Sequence, residues 1–139
     1  MPDCAQSSAL GGVPATGSRP KQILIVDDSG VVRRVVRSVL ESQTKHQVCG
    51  EAIDGVDAIE KANALKPDLI VLDLAMPRMN GLEAAMALKC AIPRPWIVLF
   101  TMYGESLGPS LTSNVDAVLC KPDGINSLAS CVQSFLGAA

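Results

Sequence analysis

The sequence predicts an α/β protein built on an open, doubly wound, five-stranded parallel sheet with five helices. Three observations carry that prediction. Short apolar runs alternate along the chain with stretches patterned as helices. The runs are continuously apolar, which suits strands buried on both faces of a parallel sheet. Hydrophobic residues make up 48% of the 139 and aromatics only 3%, so Val, Leu, Ile and Ala must fill the core; that favours helices layered on a sheet over an aromatic-rich sandwich.

Taken in order, residues 1–20 (MPDCAQSSALGGVPATGSRP) are rich in Ser, Gly, Pro and Ala without periodicity and predict a flexible tail. Residues 21–139 form one domain. The first strand is QILIV (22–26). After it Val32, Val35, Val36, Val39 and Leu40 follow the i, i+3, i+4, i+7, i+8 spacing of one helix face, with Arg33, Arg34 and Arg37 on the other side, a solvated face. QVCGEA (47–52) is the second strand, and Asp54 can cap the helix GVDAIEKANALK that stops before Pro67. DLIVLD (68–73) is the third, followed by Asn80 capping GLEAAMALK. WIVLF (96–100) and DAVLC (116–120) complete the sheet, and a last helix runs through GINSLASCVQSFLG with Gly137 at its end. Between the fourth and fifth strands, Gly104, Gly108 and Pro109 disfavour a regular helix, so the helix there should be short, displaced or mobile.

Composition excludes several classes. A net charge of −2 gives no bulk attraction to nucleic acid or to an anionic membrane. No apolar run approaches the roughly 18 residues of a membrane span, and no secretory signal opens the chain. Five widely spaced cysteines without a C-x-x-C pair point away from a disulfide framework or zinc site and towards a reducing cytoplasm; four of them fall in apolar stretches and read as core residues. His46, the only histidine, precedes the second strand, where a ligand or base role is not expected. Cys120, though beside Lys121, reads as a packed strand residue, and Trp96 as a packing residue.

Ligands of open α/β sheets bind beyond the carboxyl ends of the strands. Those ends carry Asp27 and Asp28 after the first strand, Asp73 after the third, Thr101 after the fourth and Lys121 after the fifth. Crowded carboxylates repel unless a cation sits among them, and all-oxygen ligation suits Mg²⁺. Asp27 and Asp28 are therefore the candidate metal holders. Asp73 is placed, accessible, to attack a phosphoryl group and form an acyl phosphate, with Thr101 and Lys121 holding the remaining oxygens.

ILIVDDS, VLDLAMPRMNGLEA, the Thr of LFTM and the CKP around Lys121 together resemble the receiver domain of two-component response regulators, over about residues 21–135. The resemblance implies a flavodoxin-like strand order, 2-1-3-4-5. It implies that Asp73 accepts phosphate from the phosphohistidine of a histidine kinase or histidine phosphotransfer protein. Asp28, Asp73 and the backbone carbonyl of Ala75 would bind Mg²⁺ directly and Asp27 through water, Thr101 and Lys121 would contact the phosphoryl group, and the Lys121–Pro122 peptide would be cis. Such a chain catalyses only its own phosphorylation and dephosphorylation. Because the sequence stops after the last helix, it implies a stand-alone, chemotaxis-regulator-like receiver acting by protein contact on an unknown downstream partner; a phosphate relay or sink and an unphosphorylated docking module are the alternatives. A dinucleotide-binding enzyme would need G-x-G-x-x-G after the first strand, and a dehalogenase-like phosphatase a second Asp where Ala75 stands. Two positions depart from the family pattern: Val118 replaces the usual Tyr or Phe, so ring rotation cannot carry a signal, and Met102 replaces a small residue beside the phosphoryl group. Switching is then expected to fall on residues 102–114 and the last helix.

Overall fold

The computed structural model describes residues 20–74, 76, 80–91, 93–102, 108, 113–121 and 123–137. Five strands, β1 (Gln22–Val26), β2 (Gln47–Ala52), β3 (Leu69–Leu72), β4 (Trp96–Thr101) and β5 (Ala117–Cys120), form one sheet in the order β2-β1-β3-β4-β5, with every pairing parallel. The four helices among the described residues are α1 (Gly30–Gln43), α2 (Gly55–Leu65), α3 (Gly81–Leu88) and α4 (Ile125–Leu136). This is the predicted architecture with one helix fewer than the five expected. The segment between β4 and β5 that should have supplied it lies mostly outside the described residues, as do residues 1–19, Ala75 and Pro122.

Alternation along the strands explains the two layers. Leu24, Val26, Ile70, Leu72, Ile97 and Leu99 point to one face, where the small side chains Ala58, Ala62, Ala84 and Ala85 let α2 and α3 approach. Ile23, Ile25, Leu69, Val71, Val98 and Phe100 point to the other, under Val36 and Leu40 of α1 and Leu128, Val132 and Leu136 of α4. Each fully buried Leu or Ile is worth roughly 1.5–3 kcal/mol of transfer free energy. Two such faces oblige the central strands to be apolar throughout.

Caps set the helix boundaries. Ser29, Asp54 and Asn80 each accept a hydrogen bond from a first-turn N–H, and Asn80 forms a reciprocal capping box with Glu83. α2 stops at Lys66, which adopts the left-handed conformation (φ 49°), and α4 at Gly137 (φ 100°). The edge strand β2 carries a bulge: register passes from Ile23↔Val48 to Leu24↔Gly50, leaving Cys49 unpaired with β1.

Some local expectations need correcting, and those for Trp96 and His46 hold. Val35 is 46% exposed although it shares the apolar spacing of α1, because the apolar stripe is broader than the groove that receives it. Arg33 and Arg37 are not a solvated face. Both pair with Glu51, since α1 lies against the end of β2. Cys90 is exposed in the turn after α3, and Cys49, Cys120 and Cys131 are half-buried, so none of these four is a fully buried core residue, though Cys131 packs against the core under α1 and α4. Trp96 is 40% exposed, stacked on Phe135 with ring centroids 4.8 Å apart. His46 is 2% exposed and holds structure: its Nδ1 accepts from the Lys21 N–H at 3.0 Å, which leaves Nε2 to donate to the Gly137 carbonyl at 2.7 Å.

Candidate functional site

Parallel strands deliver their carboxyl ends to one edge, and there an open cavity of about 280 Å³ is lined by Asp27, Asp28, Ser29, Val32, Asp73, Met102 and Lys121. Carboxylate oxygens of Asp27, Asp28 and Asp73 all lie within 4.8 Å of one another. β1 places the first two and β3 the third, because both strands end at the paired residues Val26 and Leu72 and the aspartates follow directly. Lys121 reaches in from the end of β5, with Nζ 2.6 Å from Asp27 Oδ2 and 3.6 Å from Asp73 Oδ1.

Asp27 is the most constrained member. Its N–H donates to the Ala52 carbonyl, its carbonyl accepts from Arg33 Nη1 at 2.6 Å, Oδ1 accepts from the Ser29 N–H at 2.9 Å, and Oδ2 takes Lys121. Asp28 is exposed, and among the described residues its carboxylate makes no hydrogen bond. Asp73 is 7% exposed, more buried than the accessible position expected for it, although its side chain still lines the open cavity. Burial, joined by the charge of Asp27, pushes the Asp73 carboxyl above its ordinary range, while Lys121 and the Leu74 N–H (2.8 Å from Oδ1) pull it back.

Thr101 is fully buried at the end of β4, its carbonyl accepting from the Lys121 N–H, so the two predicted phosphate-holding residues leave the sheet side by side. Met102, the next residue, is 71% exposed at the cavity rim. Val118 is half-buried against the α2/α3 face. Ala75 and the Lys121–Pro122 peptide lie outside the described residues.

Two features escaped the sequence reading. A Cβ on Gly81 would meet the Asp73 carbonyl oxygen at 2.1 Å and Leu74 Cα at 2.8 Å, so only glycine lets α3 start against the backbone of Asp73. The signal for it was present, a glycine directly after the Asn80 cap. The other is the Arg33–Glu51 pair, for which no local pattern exists.

Residues 23–133 match the family model described as the response regulator receiver domain. The chain belongs to that family. This receiver is 41% identical over 93 residues to a protein-glutamate methylesterase/protein-glutamine glutaminase of Pyrococcus abyssi, an alignment that takes in 67% of this chain and 25% of that protein. The chain thus spans about a quarter of the length of that relative. Among solved structures, the response regulator domain of Thermotoga maritima CheB superposes with a TM-score of 0.73 at 29% identity, over 86% of this receiver and 96% of that chain. The response regulator TrrA of Thermotoga maritima, in complex with Mg²⁺–BeF, gives 0.75 at 26% identity, over 83% of this receiver and 98% of that chain. Receivers of two-component systems bind Mg²⁺ at an aspartate cluster, and the donor set here fits such an ion: hard carboxylate oxygens from two strands, close enough to share one small cation.

Proposed function

We propose that this receiver accepts a phosphoryl group on Asp73 from the phosphohistidine of a histidine kinase or histidine phosphotransfer protein. The observation that carries the reading is the convergence of three carboxylates within 4.8 Å with one lysine ammonium at 2.6 Å from Asp27. Leu74 N–H and Lys121 engage Asp73 Oδ1, which leaves Oδ2 to attack phosphorus. A P–O bond forms as the P–N bond breaks, and its electron pair passes to the imidazole, which leaves neutral when its other nitrogen carries a proton. Asp28 and Asp73, with the Ala75 carbonyl, would hold Mg²⁺ directly and Asp27 through water; the ion, when bound, supplies charge to offset that on the phosphoryl oxygens. Lys121 moves little to reach a phosphoryl oxygen from its place beside Asp73, and Thr101 stands next to it.

The phosphohistidine carrier has a landing ground beside the site. Val31 and Val35 are 65% and 46% exposed, and with Ile125 and Phe100 they line an apolar depression of about 170 Å³ that shares Val32 and Lys121 with the carboxylate cavity. An amphipathic helix carrying the donor histidine fits that geometry. The chain would catalyse only its own phosphorylation and dephosphorylation, signal by protein contact and work in the cytoplasm, where phosphohistidine donors are made. No helix among the described residues is long and apolar enough to cross a membrane, and Cys49, Cys90, Cys120 and Cys131 are free thiols.

Incubation with Mg²⁺ and a small phosphodonor should add one acid-stable, base-labile phosphoryl group. Asp73→Asn should abolish it, and Asp28→Asn should remove most of its metal dependence. Labelling of Asp73→Asn at the wild-type rate would place the acceptor elsewhere.

A further inference from the structure

We infer that Arg33 is a positioning residue for the metal site, acting through the main chain that carries Asp28. The inference rests on the function proposed above and assigns a role within the same site.

Arg33 sits in the first turns of α1 with its side chain 18% exposed, and its guanidinium is held at two points. Nη1 donates to the Asp27 carbonyl at 2.6 Å, and Nε donates to Glu51 Oε1 at 2.8 Å. Glu51 is fixed in turn: Arg37 Nε donates to its other carboxylate oxygen at 2.8 Å, and its backbone pairs with Ile25 in the sheet. A planar fork braced on two sides against the end of β2 thus grips one carbonyl.

That carbonyl belongs to the peptide joining Asp27 to Asp28. Asp27 has other anchors, namely Ala52, Ser29 and Lys121, whereas the Asp28 carboxylate has none among the described residues. What aims Asp28 is therefore the plane of the peptide that precedes it, and Arg33 is the side chain that fixes that plane. Groups that orient metal ligands commonly contribute about 10- to 100-fold in affinity.

The sign of the effect separates positioning from charge. Arg33 is a cation close to a cation site, so by Coulomb's law alone its removal should tighten metal binding. Positioning requires the opposite. Arg33→Lys keeps the charge, but an ammonium cannot brace against Glu51 and grip the carbonyl in one rigid plane.

The test is a Mn²⁺ titration of the full chain, with free ion followed by its electron paramagnetic resonance signal. It compares the wild type with Arg33→Gln, Arg33→Lys and Asp28→Asn. Arg33→Gln should bind Mn²⁺ about tenfold more weakly, Arg33→Lys more weakly than wild type by a smaller factor, and both should regain the wild-type labelling rate at saturating Mg²⁺. Unchanged or tighter binding by Arg33→Gln, or a labelling deficit that persists at saturating metal, overturns the inference alone. If Arg33→Gln does not fold, Arg33→Lys decides, and wild-type affinity in it overturns the inference. A wild-type protein that takes up no Mn²⁺, or an Asp28→Asn that binds as tightly, overturns the metal reading and this inference with it.

Discussion

At the end of β2 the Glu51 carboxylate takes hydrogen bonds from both Arg37 and Arg33. Burial works to raise its pKa, but those two bonds and the two charges outweigh it, and the group lies below its ordinary value of 4.5. The folded protein then binds fewer protons at this position than the unfolded chain does. Stability from Glu51 is complete above the unfolded value and is lost as pH falls through the folded one. Thermal melts of wild type and Glu51→Gln should accordingly differ most near neutral pH and converge below about pH 4.5. A gap that stayed constant on acidification would show that the pair contributes packing rather than charge. The residue scale is also where the sequence was least legible. Asp27, Asp28, Asp73, Thr101 and Lys121 stand at strand ends and could be named from position, yet nothing local joins Arg33 to Glu51, 18 residues away in another element.

Among the elements, α3 most directly shapes the site, because its first residue lies on the backbone of Asp73. Two neighbouring substitutions should separate helix stability from site geometry. Asn80→Ala removes the capping box and should cost about 1 kcal/mol while leaving labelling of Asp73 close to wild type. Gly81→Ala forces a Cβ against the Asp73 carbonyl, where backbone must shift; it should cost more, about 1–3 kcal/mol, and also slow labelling. Denaturant melts paired with labelling rates check both, and equal labelling losses would contradict the assignment. Strands and caps at this scale were readable, since burial on both faces makes a strand apolar throughout and a cap needs a particular side chain one residue before the helix. The bulge at Cys49 was not, because register depends on how β1 and β2 meet, and neither strand records it alone. Val35 misled for a related reason: periodicity shows which face is apolar but not how much of it a neighbour covers.

At the scale of the whole molecule, the parallel sheet gathers its reactive side chains at one edge and its structural ties at the other. The tie made by His46 reaches back 25 residues to Lys21 and forward 91 to Gly137. Contacts of such long sequence separation close only after the intervening chain has been organised. The imidazole bridge should thus be a late event, absent from the transition state for folding. His46→Ala would leave the partly buried Lys21 N–H without its acceptor and lower stability by about 1–3 kcal/mol. In stopped-flow chevrons nearly all of that loss should appear as faster unfolding, with the refolding arm unmoved. A slowed refolding arm would instead put the bridge in the nucleus. On this view one buried ring governs how long the folded chain persists and has little influence on how quickly it forms.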